Sequence, residues 1–262
     1  MRLALGITYS GSGYEGWQSQ LSGNTIQDKL ELAIKRFSNQ NIRVNCAGRT
    51  DAGVHGLMQV VHFDTGLDRE TASWVRGTNA FLPADIAVQW ACVVPDEFHS
   101  RGSAIARRYA YVVLQSPVRP SIEAGRVGWI YRPLDGDNMR HAATYLLGEH
   151  DFSAFRAAQC QARSPVKTIQ RIDIVQRPGS SYWRFEFAAN AFLHHMIRNI
   201  MGCLVAIGQG FEPPEWMADV LAAKRRDAAA PTFSPDGLYF LGPVYEQKYG
   251  LPERTATYDW LA

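Results

Sequence analysis

The chain has 262 residues, 46% hydrophobic and 20% charged, with a formal net charge of +2. That is the composition of an ordinary globular protein, long enough for one large domain or two small fused ones. It excludes a membrane protein of the helical kind: the most apolar stretch, residues 197–207, is interrupted by Arg198 and Asn199, and nothing approaches the roughly 18 apolar residues of a span.

The first eight residues show no signal-peptide pattern. Cys46, Cys92, Cys160 and Cys203 stand far apart with no C-x-x-C pair, which argues against a disulfide framework or a cysteine zinc site and fits a reduced cytoplasm. The charge is unevenly spread. Residues 98–171 hold 11 Lys/Arg against 5 Asp/Glu, a local +6 that leaves −4 for the remainder, and 22 of the 27 cations are arginine. Arginine grips phosphate with paired N–H bonds and stacks on bases, so the segment suits an RNA partner. Codon bias accounts equally well for the arginine excess, though less readily for its clustering.

In chain order, Arg2–Tyr9 alternates Leu3, Leu5, Ile7 and Tyr9 and reads as a strand. A glycine-rich loop, Ser10–Asn24, leads to a helix capped by Thr25, with Ile26, Leu30, Ala33, Ile34 and Phe37 on one face. Ile42–Ala47 and Met58–Phe63 read as strands around a polar loop. Arg69–Phe81 reads as a helix stopped by Pro83, and Ile86–Val94 as a strand. The second half repeats this order. Arg107–Gln115 is a strand, with Arg126–Tyr131 an additional one, and Asp135–Leu147 is a helix burying Met139, Ala142, Ala143 and Leu146. Ile169–Gln176 and Tyr182–Ala188 are strands joined by a Pro178-Gly179-Ser180 turn. Phe192–Ile207 and Glu215–Ala223 follow as helices, and Gly237–Tyr245 closes the half as a strand. The fold class expected is α/β (α+β): two fused ferredoxin-like β-α-β-β-α-β halves, residues 1–104 and 105–262, forming an extended, mainly antiparallel sheet with a central cleft and helices on one face.

The segment Gly48-Arg49-Thr50-Asp51-Ala52-Gly53-Val54-His55-Gly56 carries the strongest chemical signal. Three glycines let the backbone approach a ligand closely while an arginine and a carboxylate are presented between two strands. Taken alone, it equally describes a turn with a capping aspartate.

Ala47–His55 reads A-G-R-T-D-A-G-V-H and resembles, without a break, the signature loop of TruA-type pseudouridine synthases. Other segments resemble the same family in the same order. They are Tyr14-Glu15-Gly16-Trp17-Gln18, Phe98-His99-Ser100-Arg101, Ala106-Arg107-Arg108-Tyr109, residues 148–155, residues 191–199, and Gly237-Leu238-Tyr239. The resemblance covers nearly the whole chain. It implies isomerisation of uridine to pseudouridine at positions 38, 39 and 40 of the tRNA anticodon stem-loop: the C1′–N1 bond breaks, the base rotates, and C5 joins C1′. Such chemistry needs no net redox, cofactor or metal. It implies Asp51 as the catalytic carboxylate, attacking covalently or acting as a base on the sugar, and Arg198 as the cation keeping it ionised. Tyr109 is implied to stack on the uracil, Arg49 to help displace the nucleotide, and Leu238 to contact the substrate. It also implies a homodimer sharing the anticodon arm of a tRNA across two subunits.

Each role has a plainer alternative in the residues themselves. Arg198 fits a surface ion pair, and Tyr109, alternating with Tyr111 and Val113, fits a core aromatic. Arg101, Arg107, Arg108, Arg156, Arg163 and Lys167 are weak signals singly and a phosphate track together. His194 and His195 invite a metal reading, but neighbours on a helix point about 100° apart and cannot share an ion, and no third ligand stands at suitable spacing. A pure RNA-binding module shares the β-α-β-β-α-β plan, yet the aromatic-rich RRM pattern is missing and a binder has no need of Asp51. A metal-dependent hydrolase would need a His and carboxylate cluster that the sequence does not display.

Overall fold

A computed structural model of the chain describes residues 1–252. Among these residues the fold is mixed α/β, with ten strands and five α-helices. The chain divides into two compact units, Met1–Arg107 with residues 239–252, and Arg108–Leu238. No helix among the described residues is long and apolar enough to cross a membrane, and all four cysteines are free thiols.

The first unit is organised around strand β1 (Arg2–Tyr9), paired antiparallel with β3 (His55–Asp64) on one edge and β4 (Ile86–Val94) on the other. Its alternation sorts two cores. Leu3, Leu5 and Ile7 meet Ile26, Leu30 and Ile34 of α1 (Ile26–Ser38) and Trp74 of α2 (Thr71–Asn79). Ala4 packs on the other face with Met58, Val60, Trp90 and Phe98, backed by Tyr245, Tyr249 and Leu251. Gly6 belongs to the second set: a Cβ there would lie 2.2 Å from the Trp90 ring. Helix α1 starts where the sequence places its cap, the Thr25 hydroxyl accepting the Asp28 N–H at 3.2 Å.

The far edge of β3 is shared. Its end pairs with β2, which is only Asn45–Cys46, shorter than the expected strand at 42–47. Its start pairs in parallel with β10 (Leu238–Val244) through Tyr239–His55 and Phe240–Gly56. The segment after β4 is tied to β3 by a buried pair: Ser100 Oγ lies 2.9 Å from His62 Nδ1 and donates to the Asn45 carbonyl at 2.7 Å.

That pair carries a pH dependence. Burial pushes the His62 imidazole down to about 4, with His99 and Arg2 acting in the same direction. The unfolded ring binds its proton near its ordinary pKa of about 6.5. The neutral ring's contribution to stability is therefore complete above about pH 6.5 and is lost as pH falls from there toward about 4. Urea unfolding is expected to show lower stability at about pH 5 than at about pH 7.5, with a smaller difference in His62→Gln. An undiminished difference in the variant would assign the titration to another group.

The second unit has the strand order β5-β9-β8-β7: β5 (Ala106–Gln115), β9 (Tyr182–Ala189), β8 (Val166–Gln176) and β7 (Gly148–Asp151). The short β6 (Gly128–Ile130) lies parallel to β5. Trp183, Phe185, Phe187 and Ala189 alternate into the core. Helices α3 (Gly136–Thr144), α4 (Met196–Gly208) and α5 (Trp216–Ala223) complete the unit. Two expectations are corrected. Helix α4 begins at Met196, not Phe192, because His195 takes a left-handed φ of 61° and breaks the helical path. The segment 148–151, with no element expected, is strand β7, paired to β8.

Candidate active site

The first unit holds Asp51, Arg49, Arg101 and Arg107. Residues 51–54 form a tight turn closed by the Val54 N–H on the Asp51 carbonyl at 3.2 Å. Gly53, at its third position, has φ +81°, which a type II turn requires of that residue. The turn leaves Asp51 partly buried and Arg49 exposed, while Thr50, Val54 and His55 are buried.

The loop rests on the Ser10–Asn24 segment, whose glycines allow the two backbones to touch. A Cβ on Gly11 would lie 2.0 Å from the Val54 carbonyl oxygen, and one on Gly16, which has φ +90°, would lie 2.7 Å from that of Thr50. Hydrogen bonds then pin the loop. The Trp17 N–H donates to the Thr50 carbonyl at 3.0 Å, and the Gly11 N–H to His55 Nδ1 at 3.2 Å. Tyr9 Oη and Thr50 Oγ1 are hydrogen-bonded at 2.8 Å. Burial raises the Tyr9 phenol above its ordinary pKa, so it keeps its proton. Gln59 Nε2 donates to the Gly48 carbonyl at 2.6 Å, and the His55 ring stacks on Tyr239 at 4.6 Å and 20°. Cys46, just before the loop, is no rival nucleophile: burial pushes its thiol up to about 11.

The sequence points to the loop but not to this bed: the Tyr14–Gln18 motif carries no role there, and Gly11 lies unmarked within the glycine-rich segment Ser10–Asn24. The signal for it is that this segment starts directly after a buried strand.

The second unit holds Tyr109, Arg108, Arg198, Leu238, Arg156, Arg163 and Lys167. Tyr109 is 9% exposed on β5 and meets Phe192 edge-on, ring centres 5.3 Å apart. Arg198, on the first turn of α4, exchanges hydrogen bonds with Phe233: Nε donates to its carbonyl at 3.0 Å, and its N–H donates to the Arg198 carbonyl at 3.1 Å. Its neighbour Asn199 is fully buried, donating to the Phe155 carbonyl and accepting from Thr232 Oγ1. Arg198 is thus rigidly seated. Leu238 is buried behind Gly237, whose φ is +79° and where a Cβ would lie 2.3 Å from the Val112 carbonyl oxygen.

The cationic set divides by geometry. Arg101 and Arg163 are exposed. Arg156 donates to the Cys160 and Ala162 carbonyls at 2.6 and 3.0 Å, and Lys167 to those of Ser164 and Val166 at 2.6 and 2.7 Å. Arg107 is likewise turned onto main-chain carbonyls, whereas Arg108 Nε is buried with no hydrogen-bond acceptor among the described residues. The sequence reading of His194 and His195 as helical neighbours is corrected: both lie in the turn before α4, ring centres 4.1 Å apart, so helical spacing does not separate them.

A carboxylate seated on a glycine-bedded turn has the fixed support that a catalytic group needs. A model described as tRNA pseudouridine synthase matches residues 7–101 and 142–246. The first stretch contains Arg49, Asp51 and Arg101, and the second Arg156, Arg163, Lys167, Arg198 and Leu238; Arg107, Arg108 and Tyr109 fall between them. Over the full length of both chains it is 81% identical to a tRNA pseudouridine synthase A of Polaromonas naphthalenivorans and 78% identical to one from a second Polaromonas strain. A relative of the same description from Paracidovorax citrulli is 67% identical, again over both full lengths. The chain belongs to the tRNA pseudouridine synthase family, of the TruA type, and is an isomerase.

Proposed function

We propose that the chain converts uridines 38, 39 and 40 of the tRNA anticodon stem-loop to pseudouridine, with Asp51 as the carboxylate that acts at C1′ or on the sugar. The observation that carries this reading is the Asp51 turn, an unbroken family signature on a backbone held from below by Gly11 and Gly16. A carboxylate on so stiff a support loses little freedom when it meets the reacting carbon. In this reading Arg198 keeps Asp51 charged as the substrate excludes water. Tyr109 offers a flat face to the uracil, Leu238 an apolar one, and Arg49 helps turn the nucleotide out of its stack. Arg101, Arg108, Arg156, Arg163 and Lys167 supply phosphate contacts. The active form is a cytoplasmic homodimer.

Release of tritium from [5-³H]uridine-labelled tRNA tests the assignment. Release that persists with EDTA and disappears when positions 38 to 40 carry cytidine is the expected result. Release indifferent to those positions would move the target elsewhere, binding without release would leave only an RNA-binding module, and cleavage abolished by EDTA would point to a metal-dependent hydrolase. On the same tRNA, log affinity is expected to fall steeply with log salt, since each neutralised phosphate adds a slope of about −0.7 on a single strand and about −0.9 on a B-form duplex. A nearly flat line would remove the phosphate contacts.

A further inference from the structure

Arg107 ends the first stretch of the first unit, and its guanidinium is turned onto main-chain carbonyls. Nη1 donates to the Ala104 carbonyl at 3.1 Å, and Nη2 to the Arg101 carbonyl at 2.5 Å and the Ala47 carbonyl at 3.4 Å. Ala47 opens the segment that carries Asp51. Arg101 and Ala104 border the turn after Ser100, which is itself fixed by His62 and by the Asn45 carbonyl, two residues before Ala47. One planar fork with five N–H donors thus joins two loop segments through three main-chain carbonyls. A lysine ammonium, a point charge on a flexible stem, cannot hold three diverging acceptors in a fixed plane.

We propose that Arg107 is a positioning residue for the Asp51 loop, clamping its Ala47 end to the 101–104 turn, and not a phosphate contact. The inference rests on the reading of Asp51 as the reacting carboxylate. Gln59 holds Gly48, and Tyr9 and Trp17 hold Thr50, so each residue leading to Asp51 except the exposed Arg49 has its own restraint. At the loop's entrance the Ala47 N–H is held by the Val60 carbonyl at 2.9 Å, and Arg107 adds the restraint on the Ala47 carbonyl.

The two roles of Arg107 differ in what a conservative change does. A phosphate contact survives as lysine; a three-carbonyl clamp does not. Arg107→Lys and Arg107→Gln are compared with the parent and with Arg163→Gln by single-turnover rate, tRNA affinity against salt, and amide hydrogen exchange of residues 47–54. Both Arg107 variants are expected to lose on the order of tenfold to a hundredfold in rate, lysine no better than glutamine. Their affinity and salt slope stay at the parent's values while exchange in the loop accelerates. Arg163→Gln lowers the salt slope and leaves the loop's exchange as in the parent. If Arg107→Lys instead keeps the parent's rate and slope while Arg107→Gln alone flattens the slope by about 0.7 to 0.9, Arg107 is a phosphate contact and the proposal is overturned. Should the glutamine variant not fold, the lysine variant decides by itself. An inactive parent with accelerated exchange in the variants sinks the function and keeps the clamp. An active parent with unchanged rate and exchange in the variants does the reverse.

Discussion

Asp51→Asn is expected to lose on the order of 10²- to 10⁴-fold or more in single-turnover rate while keeping the fold and the affinity for tRNA. The turn that presents the residue uses its main-chain carbonyl, which accepts the Val54 N–H, and asparagine keeps that carbonyl. Gly53 supplies the positive φ, and Gly11 and Gly16 the bed, and the substitution touches none of them. What disappears is the charge. A neutral amide neither attacks C1′ effectively nor takes a proton from the sugar, so the chemical step fails under either mechanism. Thermal unfolding and a tRNA dissociation constant serve as controls. Turnover within about tenfold of the parent would mean that Asp51 is neither nucleophile nor base.

Much of the scaffold under this residue could be read from local pattern, and the exceptions share a cause. Strands β1 and β4 have the bounds their alternation predicts, and Thr25 caps α1 as its hydroxyl and position require. Strand β7 is not legible in the sequence because Gly148-Glu149-His150-Asp151 is polar and half exposed; only its main chain, paired with β8, makes it a strand. The start of α4 differs from the expected one because Phe192 and Leu193 extend the apolar run at helical spacing, although Phe192 packs on Tyr109 from an irregular segment. Strand β10 reads as a strand from its residues, but nothing local says that it pairs with β3. The same limit applies at the site. The signature loop is contiguous and was legible. The Gly11–Val54 approach, the Tyr9–Thr50 hydrogen bond and the Arg107–Ala47 hydrogen bond join residues about 40 to 60 positions apart, which no periodicity encodes.

Gly11→Ala is expected to reduce turnover about a hundredfold, although it adds one methyl group some forty residues before the carboxylate. Its Cβ would sit 2.0 Å from the Val54 carbonyl oxygen and 2.6 Å from the carbonyl carbon, against a limit near 3.0 Å for real Cβ contacts. The obstructing atoms are backbone, so no side chain can swing aside; the two segments must separate by about an ångström. That separation falls on the turn carrying Asp51, and it strains the Gly11 N–H bond to His55 Nδ1, already 3.2 Å long. A misplacement of about 1 Å at a reacting group costs about two orders of magnitude in rate, and forcing a methyl into close-packed structure costs about 1–3 kcal/mol of stability. Gly13→Ala provides the comparison within the same loop. A Cβ there meets nothing within 4 Å, so its rate and melting temperature should match the parent's. Steady-state and single-turnover assays on the two variants, with melting temperatures, separate local displacement from a general intolerance of the loop. If Gly11→Ala keeps the parent's rate, the bed beneath Asp51 yields without moving the carboxylate, and the rigidity attributed to this turn is not what catalysis uses.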